Sequence, residues 1–250
     1  MLPTLLIGPL ALPTYPLLLL IAFWGGLWLA ARRAGQLDLE KDHIYNAGLY
    51  GLLAGLIGAR LWFVLSHWEN YASDLTQAFS LSASALSTAE GFMIAGLVIL
   101  IYLQRHKVPL GTFADAAAPG LTLALLIGHI GAFLGGVALG APSNGWWAVE
   151  ISGISRHPLQ LYEAAASLII LAILFTTAPW RPWPGFHFWH FTALYAAGRL
   201  LLEIFRARPY LIGPGYLAVQ IVALVVMVVA LVVMAYNFSS DYVKNHSESL

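Results

Sequence analysis

The sequence predicts an all-α membrane protein, a bundle of about seven transmembrane helices with its N-terminus outside and its C-terminus in the cytoplasm. Three observations carry this expectation. Of 250 residues, 60% are hydrophobic and 10% charged, at a mean hydropathy of +0.77. Soluble domains carry about 25% charged residues, so lipid must cover much of this chain. The apolar residues gather in runs close to the roughly 20 residues that a bilayer-spanning helix needs. Lys and Arg concentrate in alternate loops, as they do on the cytoplasmic side of membrane proteins.

Seven runs are read in order, at about 13–31, 44–67, 91–103, 113–139, 158–177, 186–205 and 216–236. The third is short. Residues 70–89, rich in Ser, Thr and Ala, read as a re-entrant or surface loop. Ile7-Gly8-Pro9 and the segment 180–184 read as turns. A cleavable signal peptide carries its positive charge before the apolar stretch. Here Arg32 and Arg33 follow it, so the first run is expected to stay in the membrane with its start outside. The inner segments then hold Arg32, Arg33, Lys41, Arg105, Lys107, Arg181 and Lys244, against Arg156, Arg206 and Arg208 outside. Residues 1–236 are expected to form one membrane domain, with 237–250 a loose polar cytoplasmic tail.

Composition also excludes. Net charge is zero, which gives no support for a nucleic-acid partner. There is no cysteine, so a disulfide scaffold, a thiolate metal site and a cysteine nucleophile are ruled out in this chain. The histidines form no convincing metal cluster, and phosphate-loop, GxSxG and HExxH motifs are absent. No metal or cofactor is expected. The inner half of the bundle reads as apolar and no internal repeat is visible, which disfavours a transport path.

Ionisable residues inside a bilayer are costly unless paired or hydrated, so they mark candidate sites. Arg60 falls in the outward part of the second run, and His129 in the outward half of the fourth. Arg199, Glu203 and Arg206 are spaced i, i+4 and i+7 along the sixth, sharing one helix face. The fifth run begins Arg156-His157-Pro158-Leu159-Gln160-Leu161-Tyr162-Glu163, with Pro158 suited to a first helical position. Tyr15 lies near the outer start of the first run. Distant segments thus deliver polar groups to one depth, near the small residues Gly131, Gly135, Gly136 and Gly140. Each residue also has an architectural reading. Arg199 and Glu203 form a structural salt bridge, Arg60 snorkels to headgroups, His129 holds two helices together, and Tyr15 joins an aromatic belt.

The segment from Arg156 to Glu163 resembles the RHPxQLYE motif of the bacterial prolipoprotein diacylglyceryl transferase family. Other parts resemble that family in order: Ile7-Gly8-Pro9-Leu10-Ala11-Leu12 followed by Tyr15, Ala30-Ala31-Arg32-Arg33-Ala34, Gly58-Ala59-Arg60-Leu61, Tyr195 with Arg199, Glu203 and Arg206, and Gln220. The resemblance covers nearly the whole chain. It implies a seven-helix enzyme of the bacterial cytoplasmic membrane that moves the diacylglyceryl group of phosphatidylglycerol onto the cysteine of a lipoprotein precursor, releasing glycerol phosphate. On this reading Tyr15, Tyr195, Arg199, Glu203 and His129 are catalytic. Arg60, Gly140, Arg156, His157, Gln160, Tyr162, Glu163, Arg206 and Gln220 hold the anionic phospholipid and the precursor peptide.

The resemblance breaks at the fourth run. The family's R-x-G-N-F-x-N-x-E signature here reads His129-Ile130-Gly131-Ala132-Phe133-Leu134-Gly135-Gly136-Val137. The family's HGGL segment aligns near Ala89-Glu90-Gly91-Phe92, without its histidine. These losses imply an alternative, a catalytically degenerate homologue that binds lipid or serves as a structural subunit of a larger membrane complex.

Overall fold

The computed structural model describes residues 2–8, 10–72, 76, 86–151, 153–212 and 215–247. The expected loop at 70–89 falls largely outside them, as does Pro9 of the first turn. The architecture is helical: α1 (Thr14–Gln36), α2 (Lys41–Ser66), the single-turn α3 (Trp68–Tyr71), α4 (Thr88–Arg105), α5 (Leu110–Gly135), α6 (Leu159–Thr176), α7 (Phe186–Leu202) and α8 (Ala218–Ser247). Six of them, α1, α2, α4, α5, α6 and the segment Ala218–Ser239 of α8, are long and apolar enough to cross a membrane. The chain is therefore a polytopic helical membrane protein.

Three two-stranded antiparallel hairpins join the helices: β1 (Thr4–Ile7) with β2 (Leu10–Pro13), β3 (Val149–Ile151) with β4 (Ile154–Arg156), and β5 (Leu211–Ile212) with β6 (Tyr216–Leu217). Strands of two to four residues are too short to leave an alternating pattern in the sequence. Pro158 sits one residue outside α6 rather than at its first position, with φ −75° and ψ 64°. The α8 helix runs on through 237–247, where polar side chains end the hydrophobic run without ending helical backbone.

The chain forms two compact units, Met1–Arg33 with Ala114–Leu250, and Ala34–Phe113. In the second, α2 and α4 pack antiparallel on small residues. A side chain at Gly55 would lie 3.1 Å from the carbonyl oxygen of Gly91, and one at Gly91 2.8 Å from Ala59. Small residues allow this approach where lipid supplies no hydrophobic drive between helices. In the first unit the same device joins α1 to α5, where Gly26 and Gly120 meet backbone to backbone. Ala118, Ile170, Leu174 and Phe191 form a buried cluster linking α5, α6 and α7.

A charged centre on Asp115 lies in this unit, inside a run that the sequence shows as apolar. Asp115, on the first turns of α5, is fully buried. It accepts Arg181 Nε and Gly185 N at 2.7 Å each and Phe188 N at 3.1 Å. Gly185 adopts φ +105°, a conformation that glycine reaches without strain, and this turns its N–H to the carboxylate. Asp115 thus caps the N-terminus of α7, whose first N–H groups lack helical partners. Arg33, at the end of α1, donates to the carbonyl of Ala178 at 2.8 Å.

Candidate functional site: a ring of buried charges at one end of the bundle

The start of α6 has one buried face. Gln160, Glu163 and Ser167 recur at i, i+3 and i+7, which a helix places in line. Glu163 is 5% exposed and meets two guanidiniums and one imidazole. Arg199 Nη1 lies 2.5 Å and Arg206 Nη2 2.7 Å from its Oε1, and His129 Nδ1 lies 3.3 Å from its Oε2. Glu203, 1% exposed, accepts Arg199 Nη2 at 2.6 Å and Arg206 Nε at 3.0 Å. Two carboxylates and two guanidiniums therefore alternate in a closed ring, with the imidazole attached at one corner.

Local sequence explains how the ring closes. Arg199 and Glu203 are one turn apart at the end of α7. The chain then tightens into a 3-10 turn over Glu203–Phe205, where Arg206 N donates to the Glu203 carbonyl at 3.1 Å. This tightening returns Arg206 to Glu203 instead of carrying it on along an α-helical face. The ring borders a cleft lined by His129, Glu163, Ser167, Tyr195, Gly198 and Arg199.

The segment after α5 braces this end. Gly136, at φ +69°, donates to Phe133 O at 3.2 Å while Val137 N donates to Ala132 O at 2.9 Å, the paired bonds of a Schellman stop. Residues 137–142 then thread past the Arg156–His157 and Phe205–Ala207 backbones. Ala141 N donates to Phe205 O at 2.6 Å, Ala207 N to Leu139 O at 3.0 Å, and His157 N to Ala141 O at 2.9 Å. Arg156 Nη1 holds Gly140 O at 3.1 Å and Gln160 Nε2 holds Val137 O at 2.6 Å. A side chain at Gly140 would overlap the His157 carbonyl, so glycine is required for this crossing.

The structure thus brings His129, Glu163, Arg199, Glu203 and Arg206 into one network, with Tyr195 on its cleft. Gly140, Arg156 and Gln160 belong to the brace. His157 Nδ1 lies 3.3 Å from the Tyr162 hydroxyl, and both rings pack on Phe205. Gln220 Nε2 donates to Leu200 O at 2.9 Å, tying the start of α8 to the end of α7. Tyr15 packs on the last turns of α5, where a side chain at Gly135 would lie 2.8 Å from its Cβ. Arg60 belongs to the other unit, where its guanidinium lies 5.5 Å from the centroid of the Tyr71 ring.

Sequence reasoning missed Ser167, Gly198 and Asp115. Ser167 is bland in sequence, and its Oγ bonds the Glu163 carbonyl at 2.8 Å. Asp115 did carry a signal, an acid inside an apolar run.

A membrane bundle with two arginines and two glutamates locked at one end is built to place charge in a low-dielectric setting. Comparison with known proteins assigns the class. The family model for prolipoprotein diacylglyceryl transferase matches residues 3–236. A phosphatidylglycerol–prolipoprotein diacylglyceryl transferase of Symbiobacterium thermophilum is 30% identical over 242 residues, covering 92% of this chain and 90% of that protein. That of Thermosynechococcus vestitus is 29% identical over 237 residues, 90% and 88% of the two chains. That of Clostridioides difficile is 28% identical over 200 residues, 80% of each. The chain belongs to the prolipoprotein diacylglyceryl transferase family.

Proposed function

We propose that this protein transfers the diacylglyceryl group of phosphatidylglycerol to the cysteine thiol of a lipoprotein precursor. The observation that carries the reading is the ring of Arg199, Arg206, Glu163 and Glu203, set in a chain that matches its family over nearly its whole length. The acceptor sulfur attacks the glyceryl carbon, the carbon–oxygen bond to phosphate breaks, and glycerol phosphate leaves with the electron pair. Charge grows on the phosphate oxygen as that bond breaks. Preorganised guanidiniums stabilise such charge without reorganising at the moment of reaction.

The ring supplies that preorganisation. Each guanidinium has five N–H groups, and the ring uses two from each, leaving others for phosphate oxygens. The carboxylates hold both arginines in place and lower the net charge, which favours release of the anionic product. Tyr195, on the cleft, and Tyr15 are assigned to orienting the reacting groups. Gly140, Arg156, His157, Gln160 and Tyr162, with Gln220 at the start of α8, are assigned to shaping the lipid site, and Arg60 on α2 to contacting an anionic headgroup.

The same reading puts the protein in the bacterial cytoplasmic membrane, with residues 1–236 as the membrane domain and 237–250 as a polar extension. The α7 helix is taken as the seventh span. Its 17 residues reach about 26 Å at 1.5 Å each, and the 3-10 turn adds about 6 Å, enough for a core of about 30 Å. The excess of Lys and Arg in alternate loops supports an outside N-terminus and the charge ring near the outer face. The absence of cysteine makes single introduced cysteines clean reporters. A cysteine at Ser143 labels from outside and one at Asp38 only after the inner face is opened; the reverse pattern refutes this orientation.

A second reading has one observation behind it. The ring's charges already satisfy one another, and where the family signature carries polar side chains this chain holds Ala132, Gly135 and Val137. On that reading the protein holds an anionic phospholipid without turnover, or serves a membrane complex as an accessory subunit. Incubation with phosphatidylglycerol vesicles and a cysteine-containing precursor peptide separates the two. A diacylglyceryl mass increment on the peptide, lost in Arg199→Ala, supports transfer; bound phospholipid without an increment supports the second reading.

A further inference from the structure

A thiol attacks as its thiolate, so transfer requires a group that removes the sulfur's proton. We propose that His129, held by Glu163, is the base that takes this proton; the inference rests on the transferase reading above. Nδ1 of His129 lies 3.3 Å from Oε2 of Glu163. A carboxylate oxygen accepts and does not donate, so the neutral tautomer that suits this contact carries its proton on Nδ1. Nε2 is then the nitrogen with the free lone pair. Its ring lines the cleft, and among the described residues no other polar side chain is within hydrogen-bond reach of it.

The surroundings favour this role over the two carboxylates of the ring. Glu163 is held as a carboxylate by Arg199 and Arg206 at Oε1, which leaves Oε2 for the imidazole. Glu203 is spent on the same two guanidiniums. A carboxylate behind the ring fixes the imidazole's orientation and stabilises the imidazolium once the proton arrives, as such partners do for histidines elsewhere. The step balances. The S–H proton passes to Nε2, the carbon–sulfur bond forms, and the carbon–oxygen bond breaks with its pair leaving on glycerol phosphate. The imidazolium later returns the proton to water. Arg199 and Tyr195 line the same small hollow as His129, so the proposed proton acceptor and a phosphate-binding guanidinium belong to one network.

The test compares two acceptors in phosphatidylglycerol vesicles, a precursor peptide with its cysteine and the same peptide with selenocysteine. A selenol is already ionised at neutral pH and needs no base. For His129→Gln, kcat with the cysteine peptide is expected to fall about a hundredfold or more, the lower range for loss of a general base. With the selenocysteine peptide the fall is expected to be under about tenfold. Equal losses with both acceptors overturn the assignment, and so does full activity with cysteine. Should His129→Gln fail to accumulate, His129→Asn carries the same comparison, because its amide still donates a hydrogen bond but accepts no proton at neutral pH. A wild-type protein that modifies neither peptide overturns the transferase reading itself, and the base with it.

Discussion

Two buried carboxylates in one unit of this protein, Asp115 and Glu163, meet arginines in different ways. Asp115 takes two backbone N–H groups and one guanidinium nitrogen, and those backbone groups belong to the turn and helix it caps. Glu163 takes two guanidiniums and faces an imidazole, all side chains, beside a cleft. They sit on facing helices at opposite ends: Asp115 and His129 lie 14 residues apart on α5, about 21 Å along its axis. Burial and an ion pair do not by themselves tell architecture from chemistry. The donors do. Backbone donors are fixed by the fold and serve it, whereas side-chain donors can turn toward a ligand.

Substitutions sharpen that contrast. The largest effect is expected at Arg199. Arg199→Ala should abolish transfer, measured as the diacylglyceryl mass increment on a precursor peptide, and it should also leave two buried carboxylates under-paired. Asp115→Asn should do the opposite. It removes a fully buried charge from Arg181 and should cost about 3–5 kcal/mol of stability. That loss appears as a lower melting temperature in detergent, with transfer per folded molecule unchanged. A drop in activity greater than the loss of folded protein would erase the distinction between the two centres.

Gly140→Ala falls between these cases. Its new Cβ would meet the His157 carbonyl and push the brace off the arginine end. Both melting temperature and transfer should fall, by about 1–3 kcal/mol for the former. The smallest effect is expected at Arg60, outside the ring. Arg60→Leu should weaken binding of phosphatidylglycerol to the detergent-solubilised protein about fivefold, the worth of one charge at about 1 kcal/mol near an anionic surface. Binding of a zwitterionic phospholipid should be little affected; equal loss of both would make Arg60 a packing residue.

How much of this was legible varied with the range of the interaction. Hydrophobic runs placed every long helix, since a span must be apolar over its length. The boundaries moved where apolarity and backbone part company: the run read at 91–103 is a helix over Thr88–Arg105, and α8 continues to Ser247. The i, i+4 spacing of Arg199 and Glu203 was visible because helices put such pairs in contact. The link from Arg199 to Glu163, 36 residues away, was visible only as a coincidence of depth. Asp115 carried a signal as an acid in an apolar run, but its partners, Arg181 and two backbone N–H groups 70 and 73 residues on, lie too far along the chain for spacing to reveal. The hairpins escaped because strands of two to four residues are too short to show a period.

The most direct test of the central claim is transfer by the purified full-length protein in phosphatidylglycerol vesicles with a cysteine-containing precursor peptide, read by mass. A diacylglyceryl increment is expected with wild type and with Asp115→Asn, and none with Arg199→Ala. A wild-type protein that retains bound anionic phospholipid yet adds nothing to the peptide would contradict that claim.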